Sequence, residues 1–265
     1  MKKFILFLSL ILSFSCSAFA DEKCFLIKEN DKIITEEGDC KTRYAPESTF
    51  KIPLSLIGYD DGVFIDETHP NWPFKTGYDL FINVCKSEHN PRTWMRDSCV
   101  WFSQVLTQKL GMEKFKDYVV KLNYGNMDIS GDRGKNNGRT DSWLSSSLEI
   151  SAEEQVTFLQ KLIDNKLPIS KKSHEMTKNI MFREELSGGW MLYSKSGNGR
   201  QQNADRTEKL DLRHAWSVGW IEKNGRIITF ASHILDSKQH EIFASFRIRD
   251  EMRNKLWKLI DEMEK

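Results

Sequence analysis

The residues best equipped for chemistry lie in Pro46-Glu47-Ser48-Thr49-Phe50-Lys51-Ile52-Pro53-Leu54. A serine and a lysine three positions apart share one face of a helix, with Cβ atoms about 5–6 Å apart. Pro46 suits a first helical turn, where it has no amide hydrogen to leave unpaired. Ser48 would then stand where free backbone N–H groups and the positive end of the helix dipole favour a developing oxyanion. Phe50, Ile52, Leu54, Leu56 and Ile57 surround Lys51 in sequence. Burial among them would lower the lysine pKa by desolvation and keep the amine neutral. A neutral amine beside a hydroxyl activates the serine as a nucleophile. An isolated Ser-x-x-Lys also fits a serine cap and a lysine stem laid over apolar surface, so the pair takes its meaning from its company.

Three further boxes follow in order. Ser98-Cys99-Val100 places a second hydroxyl just before a helix, Tyr124-Gly125-Asn126 opens a long polar stretch, and Lys195-Ser196-Gly197 ends a strand. Gly197 there would let a substrate approach the backbone.

The elements that must position these boxes are legible in outline. Cys24–Lys28 and Lys32–Thr35 read as two strands joined by a turn at Glu29-Asn30-Asp31. From Ser48 to about Asp164 the pattern is mainly helical, with apolar residues at three-and-four spacing over 101–110, 112–122 and 152–164. Gly111 ends one of these helices. The polar stretch between Tyr124 and Ile150 is long enough to be a functional loop. Residues 190–195, 215–221 and 226–233 read as antiparallel strands, the last two joined by the hairpin turn Asn224-Gly225. An amphipathic helix from about Asp250 closes the chain. Strands at both ends with helices between and after them predict an α+β domain with helices segregated on an antiparallel sheet.

Met1-Lys2-Lys3, a short apolar run and Ala18-Phe19-Ala20 have the form of a cleavable leader, so the expected mature chain is residues 21–265, one catalytic domain exported to the periplasm. Losing Lys2 and Lys3 takes the formal charge from +1 to −1, which gives no electrostatic case for nucleic acid or an anionic membrane. No C-x-x-C, His-Glu-x-x-His, Walker-type loop or G-x-G-x-x-G is present, so zinc-ribbon, metalloprotease and nucleotide chemistry find no support. Cys24 and Cys40 flank the first hairpin and could pair in an oxidising compartment, whereas Cys85 reads as a core thiol.

Taken together, the four boxes resemble those of the serine penicillin-recognising enzymes, and specifically of the class D (oxacillinase-type) β-lactamases. The related class A signature has a Ser-Asp-Asn box that this chain lacks. The resemblance spans essentially the whole mature chain, from Cys24-Phe25 to the terminal helix. It implies an antiparallel sheet flanked by N- and C-terminal helices with a mainly helical inserted subdomain. It implies that Ser48 attacks a β-lactam carbonyl and that Lys51, N-carboxylated by carbon dioxide, acts as general base. Ser98 would relay a proton to the lactam nitrogen. The backbone N–H groups of Ser48 and Asn198 would form an oxyanion hole. Val100, Lys195, Ser196 and Gly197 would meet the substrate, and Arg249 or, as the alternative, Arg247 would bind its carboxylate. Trp143 would support the carbamate through its indole N–H. Carbon dioxide or bicarbonate is the only non-protein requirement implied; no metal is. Penicillins and oxacillin-like compounds are the expected substrates, and the protein would be a monomer or homodimer. The alternative is a β-lactam sensor or penicillin-binding protein that acylates without rapid turnover. Three departures stand out: Ser196 where threonine is usual, Cys99 in the middle of the second box, and a long polar excursion from Asn198 to Arg213 between two strands.

Overall fold

The computed structural model describes residues 20–203 and 205–265. The expected leader, and with it Cys16, lies almost wholly outside them. The chain enters on two antiparallel strands, β1 (Glu22–Glu29) and β2 (Lys32–Glu37). A 3-10 turn at Glu47–Phe50 then runs directly into α1 (Lys51–Asp60). Five helices follow: α2 (Pro91–Asp97), α3 (Val100–Leu110), α4 (Met112–Lys121), the short α5 (Gly138–Asp141) and α6 (Ala152–Ile163). Helix α7 (Lys171–Met181) leads into strand β3 (Phe182–Glu185). Strands β4 (Met191–Gln202), β5 (Lys209–Lys223) and β6 (Arg226–Leu235) precede the long helix α8 (Ala244–Met263).

The six strands form one sheet in the order β2-β1-β6-β5-β4-β3. Every pairing is antiparallel. Side-chain alternation gives the sheet two apolar faces. On one, Phe25, Ile27, Ala215, Ile221, Phe230 and Ile234 pack against Ile248, Met252, Leu256 and Ile260 of α8. On the other, Cys24, Leu26, Trp216, Val218, Trp220 and Ala231 join the large core shared with α1, α3, α4, α6 and α7. The layers are therefore helix, sheet and helical subdomain. The N-terminal flanking helix of the sequence reading is not among the described residues, where the chain opens directly on β1.

Several elements differ from the sequence reading for identifiable reasons. The polar excursion from Asn198 to Arg213 is largely strand, because β4 and β5 continue past the sheet as a ribbon registered through Arg200↔Arg213 and Gln202↔Lys209. Apolar residues alternate only over Lys209-Leu210-Asp211-Leu212-Arg213, and with Leu210 and Leu212 no more than half-buried, this short pattern is hidden among polar and charged neighbours. Cys85 is not a free core thiol but half of a disulfide with Cys99, and Cys24 pairs with Cys40. The terminal helix starts at Ala244, one and a half turns before Asp250.

Candidate active site

Ser48 lies in the 3-10 turn, not in regular α-helix, and this shapes the site. Residues i and i+3 eclipse in a 3-10 turn, so Lys51 falls directly beneath Ser48. Its Nζ lies 3.2 Å from Ser48 Oγ. The turn is held by Pro46, whose carbonyl accepts from the backbone N–H and the hydroxyl of Thr49. Thr49 Oγ1 in turn accepts from Gln155 Nε2 at 2.9 Å, which fastens the turn to α6.

Lys51 is 1% exposed. Desolvation is the larger influence on its amine and brings the pKa from 10.5 down to about 7, against an opposing pull from the Glu47 carboxylate. The amine also sits 5.9 Å from the centre of the Trp94 ring on α2. Lys195 on β4 is equally buried, and its pKa is held well below the usual value first by burial and then by the charges of Arg183 and Lys51. Its Nζ donates to its neighbour's carbonyl, Ser196 O, at 2.8 Å. Arg183, which the motif reading did not single out, ties this cluster together. Its Nε donates to Ser194 O on β4 and its Nη2 to Met95 O on α2. Burial lowers its pKa to about 10, so it stays charged at neutral pH. Three basic groups thus converge behind one serine, of which Arg183 keeps its positive charge at neutral pH.

Strand β4 brings the third box against the first. A Cβ at Gly197 would stand only 3.0 Å from Glu47 Cβ and 3.2 Å from the Ser48 backbone nitrogen, so this backbone approach requires glycine. Beyond Tyr193 the edge of β4 facing β3 has no strand partner, because β3 registers only with residues 191–193. Ser196 and Asn198 lie along this open edge, half-buried.

Ser98 does not cap α3, as a serine just before a helix would be expected to do. Cys99 takes the N-cap position, while Ser98 closes α2 in the left-handed region at φ 66°. It is placed one turn after Trp94, whose ring faces Lys51. Val100 is the first residue of α3. Tyr124 is buried against Phe50, at 5.3 Å between ring centres. Trp143 follows α5, is fully buried, and stacks on Phe50 at 5.3 Å. Its indole Nε1 has no hydrogen-bond partner, an expensive omission for a buried donor.

The terminal-helix arginines are placed differently. Arg247 is committed to an ion pair with Asp21 at 2.9 Å and to a second one with Asp236. Arg249 is exposed, with its Nε on Asp250 at 3.0 Å and its guanidinium over the Phe246 ring. Neither contacts the Ser48–Lys51–Lys195 cluster. The linker into α8 does reach β4, since Gln201 Nε2 donates to Asp236 O at 2.6 Å. The helix therefore starts at the same end of the sheet as Ser196–Gly199.

A Ser-x-x-Lys pair at the junction of a 3-10 turn and a helix, its lysine buried, facing a Lys-Ser-Gly strand across a three-layer α+β fold, defines a penicillin-recognising serine enzyme. The penicillin-binding protein transpeptidase domain matches residues 26–257. The β-lactamase OXA-9 of Klebsiella pneumoniae is 37% identical over 264 residues, covering 95% of this chain and 96% of that one. The β-lactamase OXA-1 of Escherichia coli is 38% identical over 233 residues, 86% of this chain and 81% of that one. Among solved structures, the OXA-427 class D β-lactamase superposes with a TM-score of 0.85 at 39% identity, covering 91% of this chain and 99% of that one. The FUS-1 (OXA-85) enzyme of Fusobacterium nucleatum subsp. polymorphum gives 0.77 at 28% identity, covering 91% and 93%. The chain belongs to the class D β-lactamases.

Proposed function

We propose that this enzyme hydrolyses β-lactam antibiotics through an acyl-enzyme on Ser48, with Lys51 N-carboxylated, in the periplasm after removal of residues 1–20. The observation that carries the mechanism is the buried Lys51 amine 3.2 Å from the Ser48 hydroxyl. Only a neutral amine adds carbon dioxide, releasing one proton, and a pKa of about 7 leaves a large neutral fraction at neutral pH. The unpartnered Trp143 Nε1 is a donor available to an acceptor placed there, which fits a carboxylate on Lys51. That carboxylate would supply general-base character beside Ser48.

Ser48 Oγ attacks the lactam carbonyl carbon and gives up its proton on the Lys51 side. The carbonyl oxygen, now an oxyanion, accepts from the backbone N–H groups of Ser48 and Asn198. Losing one such donor costs about 3–4 kcal/mol in comparable sites. The C–N bond breaks and Ser98 passes a proton to the departing nitrogen. Water then cleaves the ester and restores Ser48. Lys195, Ser196 and Gly197 position the substrate along the open edge of β4, with Val100, the first residue of α3, as a further substrate contact. Arg249 is the terminal-helix arginine proposed for the substrate carboxylate, because its pair with Asp250 is solvent-exposed whereas Arg247 is held by Asp21 and the buried Asp236. Penicillins and oxacillin-like compounds are the proposed substrates.

The test is turnover of a chromogenic β-lactam by the mature protein, with and without bicarbonate, beside Ser48→Ala. Many turnovers in the wild type, none in the variant, are expected. One product per enzyme followed by silence would instead identify a sensor or penicillin-binding protein.

A further inference from the structure

Glu47, the residue before the nucleophile, is an acidic side chain only 3% exposed and held at φ 52°. A left-handed non-glycine residue at such a place is retained only where its surroundings over-determine it. Its backbone N–H donates to Trp143 O at 3.0 Å. Its Oε1 accepts from Ser145 Oγ at 2.6 Å and from His214 Nε2 at 3.1 Å. Ser145 Oγ also accepts from the backbone N–H of Arg200 on β4, at 2.9 Å. The β4 backbone leaves room for this carboxylate only because residue 199 is glycine, where a Cβ would overlap it.

Behind His214 stands a second imidazole. His214 Nδ1 and His233 Nε2 are 3.1 Å apart. His233 is enclosed by the stacked Tyr44 ring at 4.1 Å and by Trp216 at 4.3 Å. Burial and the neighbouring His214 keep its ring neutral. His214 Nε2–H donates to Glu47, and one proton is shared between His214 Nδ1 and His233 Nε2. The two rings stand in line behind one carboxylate.

We propose that Glu47 is a positioning residue that clamps the Ser48 turn to β4 at Gly197–Arg200 and, through its charge, limits how readily Lys51 takes up carbon dioxide. The clamp fixes the two backbone donors, Ser48 N–H and Asn198 N–H, that the acyl-enzyme reading above assigns to the oxyanion, and the inference rests on that reading. The charge acts twice in one direction. A nearby carboxylate favours the protonated amine, and it repels the anionic carbamate that carbon dioxide would create. The titratable groups around Glu47 are Lys51 on α1, His214 on β5 and, behind it, His233 on β6. From β4 it meets backbone, the Arg200 side chain being turned to Asp211 and Leu210 O.

The experiment compares wild type, Glu47→Gln and Ser145→Ala. Its readouts are kcat and KM for a chromogenic β-lactam, thermal melting, and the pH midpoint of the carbamate signal in 13C NMR with labelled bicarbonate. Glu47→Gln should lose about ten- to a hundred-fold in kcat with little change in KM. Its carbamate should persist to lower pH by about one unit. Ser145→Ala, which keeps the charge but cuts both bonds to the clamp, should lose kcat with an unmoved midpoint. A kcat within twofold of wild type in a natively melting Glu47→Gln overturns the clamp, and an unmoved midpoint there overturns the charge effect. Should Glu47→Gln not fold, undiminished kcat in Ser145→Ala overturns the clamp by itself. A wild type without turnover rejects the acyl-enzyme reading, while the midpoint comparison still reports on Glu47.

Discussion

Lys51 illustrates how a reactive residue weakens the fold that holds it. Its pKa is about 7 in the folded protein and 10.5 in the unfolded chain. Between these values the unfolded chain binds a proton that the folded protein releases, so stability rises with pH across that window and is lowest below it. The penalty is on the order of a few kcal/mol. Lys51→Met should therefore abolish turnover yet raise the melting temperature in carbon-dioxide-free buffer at pH 6.5, with the gain shrinking towards pH 9.5. A gain that does not vary with pH would place its source elsewhere. Trp143→Phe removes the unpartnered indole N–H while keeping an aromatic ring against Phe50. We expect lower activity that added bicarbonate partly restores; indifference to bicarbonate would remove Trp143 from carbamate support. At this scale the sequence was legible where a grouping is announced by short motifs: the structure brings Ser48, Lys51 and Lys195 together. It was silent on Glu47, whose partners Ser145 and His214 stand 98 and 167 positions away. Arg183 escaped for the same reason, because nothing in Phe182–Glu185 announces that it bridges α2 and β4.

The junction between α2 and α3 is the element on which Ser98 depends. Asn90 caps α2 through a reciprocal pair of bonds with Thr93, with Pro91 at the first helical position. Those residues are a legible helix start, passed over because only two residues of the seven-residue helix, Trp94 and Met95, are large and apolar. Ser98 is followed at once by Cys99, bound to Cys85 in the loop before α2. A bridge closing a loop of this size stabilises by about 3 kcal/mol. The double variant Cys85→Ser/Cys99→Ser should lose roughly that much in denaturant titrations. It should also lower the acylation rate if the bridge holds Ser98 in place. Equal acylation rates would assign the bridge to stability alone. Helix α7 was missed for a compositional reason: Lys171–Met181 carries lysines, serine, histidine and glutamate among few apolar residues. Its burial is a property of the tertiary packing.

At the scale of the molecule, the sheet separates chemistry from support. The Ser48 turn and Lys51 lie with the helical subdomain, whereas Ile248, 0% exposed, packs α8 onto the opposite face. Ile248→Ala should cost about 2–5 kcal/mol in stability. The kcat of the folded fraction should stay within about twofold of wild type, and a large fall would show that the outer layer reaches the site. No helix among the described residues is long and apolar enough to cross a membrane. The α+β class was legible because both ends of the chain alternate or repeat at clear periods. The strand order was not, since it depends on β1 lying between β2 and β6. That order has a consequence in time. Strand β1 is made long before its inner partner β6, from which the whole helical subdomain separates it in sequence. Non-local pairings of this kind form late, and an unpaired strand edge waiting for its partner invites association with other chains. The Cys24–Cys40 bridge closes over the β1–β2 hairpin and needs nothing made later. It would hold the first hairpin in register through the interval before β6 arrives to complete the sheet.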